Sequence, residues 1–405
     1  MKRLFSLMLC LIIVLQGMVC VKADGGMIAT ESMSDDLFSP LPDAVPTIAL
    51  VDGKLDINAK SCVLIEADTG TVLYENNPDE RLAPASITKI MSLLLIMEAI
   101  DAGKLTLETQ ITASEHACSM GGSQIWLEPG ESMTLHEMLK AIVIASANDA
   151  TVAVGEAIAG SEEGFVALMN KRAAELGMTN TNFVNCTGLD AEGHLTTAYD
   201  VALMSCALIS HELITEYSTV WMDTLRNGES ELVNTNKLVR FYDGCIGLKT
   251  GTTSQAGSCL SAAARRDSMT LIAVVMAGAD SNSRFQGARK MLDFGFANYA
   301  VSKIAPELPE ESYVLVKGGE KRDVKLYADG EVSALTRKGE QNIERVLDIP
   351  SEVPSPVKKD DVLGKITVLS NGEEVGSIEI KAAEDVRKRS FILSFSWLIG
   401  TLFAV

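Results

Sequence analysis

Residues 83–89 read Ala83-Pro84-Ala85-Ser86-Ile87-Thr88-Lys89, and the apolar run Ile90-Met91-Ser92-Leu93-Leu94-Leu95-Ile96-Met97 follows directly. A proline at the first turn before such a run predicts a helix that opens at Pro84-Ala85-Ser86 and continues to about Ala99. Helical residues three apart share a face, so Lys89 lies beside the Ser86 hydroxyl. A serine hydroxyl is a weak nucleophile until a neighbouring base takes its proton. Lysine is such a base only when its neutral form is stabilised, by burial or by a nearby cation. A Ser-x-x-Lys spacing arises by chance in a chain this long, and Ser355-Pro356-Val357-Lys358 repeats it. That second copy sits in a proline-broken stretch where no helix aligns the pair, so it is set aside.

Two more stretches give the first one its meaning. Ser146-Ala147-Asn148 falls between Leu135–Ile144 and Ala150–Ala159, both of helical period. Lys249-Thr250-Gly251 falls in Cys245–Thr250, a strand expected to pair with Gly257–Ala264 around a glycine-containing turn. Lys249 is the cation that keeps Lys89 neutral. Ser146 relays the proton to a leaving amine, and Asn148 offers an amide to a substrate backbone. The Lys249 strand pairs with an extended peptide, while Lys249 and Thr250 meet a carboxylate. Gly251 removes a side chain where substrate approaches closely. The backbone N–H groups of Ser86 and Thr252 form an oxyanion hole. The catalytic set is thus Ser86, Lys89 and Ser146, and the substrate-binding set begins with Lys249, Asn148, Thr250, Gly251 and Thr252.

The ordered trio resembles the low-molecular-weight penicillin-binding proteins that act as D-alanyl-D-alanine carboxypeptidases. Beyond the trio the resemblance includes Ala83-Pro84-Ala85, Gly121-Gly122-Ser123 with Leu127, and Ser146-Ala147-Asn148-Asp149-Ala150. It continues through Gly188-Leu189, His194, Thr197-Ala198-Tyr199-Asp200, Gly247–Thr253, Arg284-Phe285 and Phe294-Gly295-Phe296. It covers about residues 55–300 closely and the rest in outline. It implies an α+β fold: a β-lactamase/DD-peptidase-like catalytic domain, with an antiparallel sheet and helices on both faces, plus a small all-β C-terminal domain. It implies a cell-wall hydrolase that removes the terminal D-alanine of a peptidoglycan stem pentapeptide through an acyl-enzyme on Ser86. β-Lactams would acylate the same serine, and neither cofactor nor metal is required. Arg284 would help hold the terminal carboxylate of the substrate. Thr252 departs from relatives that carry an aromatic or histidine there, but only its backbone N–H is needed.

Composition agrees. The 405 residues carry 54 acidic and 35 basic side chains, a formal charge of −19. A nucleic-acid binder needs a basic face, so that class is excluded. No His-Glu-x-x-His and no Gly-x-Ser-x-Gly occurs, so zinc and Ser-His-Asp hydrolysis lack support, and His194 reads as structural. Of eight cysteines, Cys10 and Cys20 fall in the leader. The other six are scattered and read as buried free thiols, with Cys245 and Cys259 the one pair placed to bridge.

The chain divides into a secretory signal at 1–23, a linker at 24–57, the catalytic domain at 58–300, an all-β domain at 301–385 and a membrane-anchor segment at 386–405. Lys2-Arg3, the apolar run Leu4–Leu15 and Val21-Lys22-Ala23 have the order of a secretory leader. Short strands such as Tyr313–Val316, Val324–Tyr327 and Lys365–Leu369 alternate with glycine turns. Arg387-Lys388-Arg389 precede the apolar Phe391–Val405, which as a helix reaches roughly 22 Å, short of a full crossing. It reads as an anchor on the outer face of the cytoplasmic membrane, with the basic cluster on anionic headgroups. Two rival functions remain. A serine β-lactamase needs a Glu-x-x-Leu-Asn loop between Ser146 and Lys249, and the nearest stretch, Glu229–Leu232, is followed by Val233. A catalytically idle penicillin-binding scaffold would lack D-alanine release.

Overall fold

The computed structural model of the chain describes residues 54–309, 311–339, 343–370 and 372–390, with positions 27, 28 and 395 besides. The expected leader lies outside the described residues, as does nearly all of the linker before residue 54 and of the tail after residue 390. The chain forms two compact units. The first holds the chain up to Ile65 together with Val72–Ala264 and Leu271–Leu292; the second holds Glu66–Thr71, Arg265–Thr270 and the chain from Asp293.

The first unit is built on five strands: β1 (Ala59–Glu66), β2 (Val72–Asn76), β3 (Cys245–Thr253), β4 (Gly257–Arg266) and β5 (Met269–Gly278). Their order is β2-β1-β5-β4-β3, and the hairpins β1–β2 and β3–β4 are antiparallel. The sequence explains the order. Along β5, Met269–Met276 are all buried, so successive side chains are covered on both faces. Such a strand belongs in the middle of a sheet with a layer on each side. β3 carries Lys249-Thr250-Gly251 and is an edge strand. Its outer rim therefore offers backbone N–H and C=O groups to an added strand. Pairing with β4 fixes its register, with Lys249 opposite Ser261 and Gly251 opposite Cys259.

Helices supply the rest. α1 (Lys89–Asp101) buries Lys89–Leu94, Ile96, Met97 and Ala99, which is most of its circumference, as its unbroken apolar sequence requires. A single turn of 3₁₀ helix, Ala85–Thr88, precedes it where a continuous α-helix was expected. α2 (Leu135–Ile144) starts at a capping box between Thr134 and Glu137. α3 (Asn148–Ala159) ends at Gly160, left-handed at φ 84°. α4 (Glu162–Glu175) is capped by Ser161 and α5 (Ala198–Ile209) by Thr197. α6 (Ser281–Asn298) opens where Asp280 accepts from the N–H and hydroxyl of Ser283.

From Tyr299 to Ala382 the second unit is built of strands, as its turn spacing predicts. β6 (Tyr299–Ile304) pairs antiparallel with β9 (Val332–Arg337). A six-stranded sheet takes in β7 (Tyr313–Lys317), β8 (Asp323–Ala328), β10 (Ile343–Asp348), β11 (Glu352–Pro354), β12 (Val362–Ser370) and β13 (Glu373–Ala382). Alternate residues of β7 and β8, Val314, Val316, Val324 and Leu326, enter a core with Ile366, Val368, Ile378 and Ile380. Ser355 lies in this unit and donates its N–H to the Lys317 carbonyl, away from any helix.

Candidate active site

Ser86 sits half-buried in the short 3₁₀ turn between the buried Ala85 and Ile87. Ala85 holds φ at 50°, a left-handed conformation that alanine rarely adopts. Strain of this kind persists only where neighbours over-determine the backbone. Two glycines do so here. A Cβ at Gly188 would fall 1.9 Å from the Ala85 carbonyl oxygen, and one at Gly251 would fall 2.8 Å from Ser86 N. The loop at Gly188 and the strand β3 therefore clasp the serine turn from two sides, at distances only glycine permits. Gly251 was expected to make room for substrate; the first thing it makes room for is the backbone of Ser86.

Lys89 is fully buried at the start of α1. Its Nζ stands 3.2 Å from Ser86 Oγ, 2.6 Å from Asn148 Oδ1 and 2.7 Å from the Thr187 carbonyl. Burial, then the charge of Lys249, hold its ammonium pKa well below the ordinary lysine range. A neutral amine has two N–H donors and one lone pair. Asn148 Oδ1 and Thr187 O accept only, so they take the two protons, and the lone pair is left facing the Ser86 hydroxyl. The amide orientation is fixed independently, because Asn148 Nδ2 donates to the Gly121 carbonyl at 2.7 Å.

Asn148 is thereby largely committed. Expected to hold substrate, it first holds Lys89 and the Gly121 loop, with one Nδ2–H to spare. Asp149 beside it gathers that loop by accepting from the N–H groups of Ile125, Leu127 and Ala150. Burial raises the Asp149 pKa from its ordinary value. Ser146 holds φ at 63°, and its Oγ is buried with no hydrogen-bond partner among the described residues. An unpaired buried hydroxyl costs about 1–3 kcal/mol, so such a group calls for an explanation. A proton-carrying role for Ser146 supplies one.

On β3, Lys249 and Thr250 are buried, and Thr250 Oγ1 lies 2.6 Å from Thr235 Oγ1. Arg284 differs most from expectation. It is 2% exposed, and its guanidinium donates to the Gly251 carbonyl at 3.0 Å, to Thr252 Oγ1 at 2.7 Å and to the Cys259 carbonyl at 3.4 Å. It braces β3 beside the site. The Thr252 side chain, expected to be idle, is what receives it. His194 is structural. Its Nδ1 accepts from the Val184 N–H, so Nε2 carries the proton toward Thr88 Oγ1 at 2.8 Å. Burial lowers its pKa to about 4.

Sequence reasoning missed Thr187, which acts through its carbonyl, so its side-chain identity reports nothing. It also missed Asp190, whose carboxylate accepts from Thr253 Oγ1 at 2.6 Å just past the Lys249 motif. All six cysteines in the described residues are free.

Residues 48–280 match the family described as D-alanyl-D-alanine carboxypeptidase, and residues 307–388 match the C-terminal domain of penicillin-binding protein 5. The D-alanyl-D-alanine carboxypeptidase DacF of Bacillus subtilis (strain 168) is 46% identical over 366 residues, spanning 88% of this chain and 94% of the relative. Among solved structures, penicillin binding protein 5 from Haemophilus influenzae superposes with a TM-score of 0.70 at 30% identity, over 82% of this chain and 99% of that one. Penicillin-binding protein D2 from Listeria monocytogenes, in its ampicillin-bound form, superposes at 0.53 with 30% identity, over 60% of this chain and 99% of that one.

Proposed function

The chain belongs to the D-alanyl-D-alanine carboxypeptidase family of serine peptidases, and we infer from that premise which of its residues do the chemistry. The protein is a serine-type D-Ala-D-Ala carboxypeptidase that acts on the cell wall. Ser86 Oγ attacks the carbonyl between the last two D-alanines of a peptidoglycan stem peptide, and the Lys89 lone pair takes its proton. The N–H groups of Ser86 and Thr252 receive the oxyanion. Ser146 passes a proton to the nitrogen of the departing D-alanine, and the C–N bond breaks to leave an ester on Ser86. Water then hydrolyses the ester. The stem peptide lies along the open edge of β3, with its carboxylate at Lys249 and Thr250 and its backbone at the remaining Asn148 N–H. Arg284 keeps this edge in shape.

The observation that carries this reading is the set of three partners around Lys89 Nζ, which suits a neutral amine and leaves its lone pair for Ser86. A β-lactam mimics the D-Ala-D-Ala dipeptide and acylates the same serine. The leader at 1–23 exports the chain. The basic cluster and apolar tail at 386–405 tether it to the outer face of the cytoplasmic membrane. Among the described residues no helix is long and apolar enough to cross a membrane. The catalytic domain spans 58–300 and the all-β domain 301–385.

The test follows D-alanine release from diacetyl-Lys-D-Ala-D-Ala together with the lifetime of a penicillin adduct, with Ser86→Ala beside each. Release and a long-lived adduct, both lost in the variant, are the expected result. Fast penicillin turnover without D-alanine release would make the protein a β-lactamase. A stable adduct without peptide turnover would make it a scaffold.

A further inference from the structure

We propose that Glu162 is a positioning residue for the lysine base: it fixes the peptide segment whose carbonyl takes one proton of neutral Lys89. The inference rests on the reading of Lys89 as the base for Ser86. With Asn148 Oδ1 and the Thr187 carbonyl as its two acceptors, the amine aims its lone pair wherever those two oxygens dictate. Asn148 is anchored by the Gly121 carbonyl. The other oxygen is only as well placed as residues 186–187.

Within the loop, Asn185 Oδ1 accepts from the N–H of Thr187 at 3.2 Å and of Gly188 at 2.7 Å. From outside, both backbone groups of Cys186 are tied. Its carbonyl accepts from Ser92 Oγ at 2.7 Å, on the same helix as Lys89. Its N–H donates to Glu162 Oε1 at 3.2 Å, and its thiol approaches the same oxygen at 3.4 Å. Burial pushes the Cys186 thiol pKa far up, so this sulfur serves the brace as a neutral donor.

Glu162 is well placed for this work. It is the first residue of α4, where a helix N-terminus favours a carboxylate. Its side chain is 13% exposed, and Oε2 lies 2.8 Å from His116 Nε2. A line of contacts therefore runs from His116 at the surface through Glu162 and Cys186 to the Thr187 carbonyl and Lys89. Without Glu162, the N–H of the fully buried Cys186 loses its acceptor. The segment then relaxes, and the Lys89 lone pair turns from Ser86.

The test compares Glu162→Ala, Glu162→Gln and Glu162→Asp in kcat and KM for diacetyl-Lys-D-Ala-D-Ala, in the rate of acylation by a fluorescent penicillin, and in thermal midpoint. Gln keeps an oxygen for the Cys186 N–H and is expected to stay near wild type. Ala is expected to lose about tenfold to hundredfold in kcat and acylation rate with KM unchanged, the scale of a small misplacement of a reacting group. Asp keeps the charge at the helix start but falls short of Cys186. It therefore folds and shows the same kind of kcat loss, which decides the matter if Ala does not fold. Wild-type kcat in Ala or Asp, a loss confined to KM, or a Gln variant as poor as Ala would overturn the inference. Wild-type protein that takes up no penicillin would overturn the reading of Lys89 and Ser86 along with it.

Discussion

A lysine in place of a histidine is an unusual base, and its surroundings make it one. The Lys89 amine meets a hydroxyl, an amide oxygen and a backbone carbonyl. Lys89→Arg keeps the positive charge but cannot lose its proton at any working pH. We expect it, like Lys89→Ala, to slow penicillin acylation by about 10²–10⁴-fold in stopped-flow measurements of adduct formation. Arginine acylating at the wild-type rate would contradict a proton-abstracting role. His194 tests a second residue, through stability. Its folded pKa is about 4 against an ordinary 6.5, so below about 6.5 the unfolded chain binds a proton that the folded chain refuses. Stability from this group is complete above pH 6.5 and is lost as pH falls toward 4, by at most about 3 kcal/mol. Urea unfolding at pH 7 and 4.5 should show a smaller drop for His194→Gln than for wild type. Equal drops would sink the assignment. Ser86, Lys89 and Ser146 could be proposed from the sequence because the roles proposed for them belong to side chains, and the structure brings Lys89 Nζ within 3.2 Å of Ser86 Oγ. Thr187 was not, since a carbonyl is common to every residue. Arg284 was singled out, but a motif position does not say which way a guanidinium faces, so its contacts to β3 were not foreseen.

At the scale of elements, the site is a serine turn clasped between β3 and the loop at Gly188. That clasp explains why β3 carries a glycine directly after Lys249-Thr250. Gly251→Ala puts a methyl 2.8 Å from Ser86 N and 3.0 Å from Ala85 Cβ, both in the turn itself. We expect acylation to fall by tenfold or more, while KM changes less, because the nucleophile moves and the carboxylate site does not. An alanine variant with wild-type acylation would show that the turn gives way freely. The strands β3 and β4 were readable because two β-rich runs flank a glycine-containing turn. The 3₁₀ turn was not, since Pro84 and the apolar run are equally compatible with an α-helix from the outset.

At the scale of the molecule, the proposed anchor can be tested on its own. The tail at 386–405 should bring the full chain down with vesicles containing anionic lipid, and a chain ending at Asp385 should stay in the supernatant. Equal sedimentation of the two would remove the tail as anchor. The catalytic unit was legible in outline because three short motifs fall in order on a helix start, an inter-helix turn and an edge strand. What sequence could not supply is the complete burial of Lys89. That burial is a property of the folded unit, and with the Lys249 charge it lowers the Lys89 pKa. The most direct test is a ¹³C titration of the lysine Cε signals, with Lys89 assigned by its loss in Lys89→Arg. The account predicts that Lys89 loses its proton well below the ordinary lysine range, with the pH dependence of acylation tracking the same titration. A Lys89 signal that stays in its ammonium position up to pH 10 would contradict it.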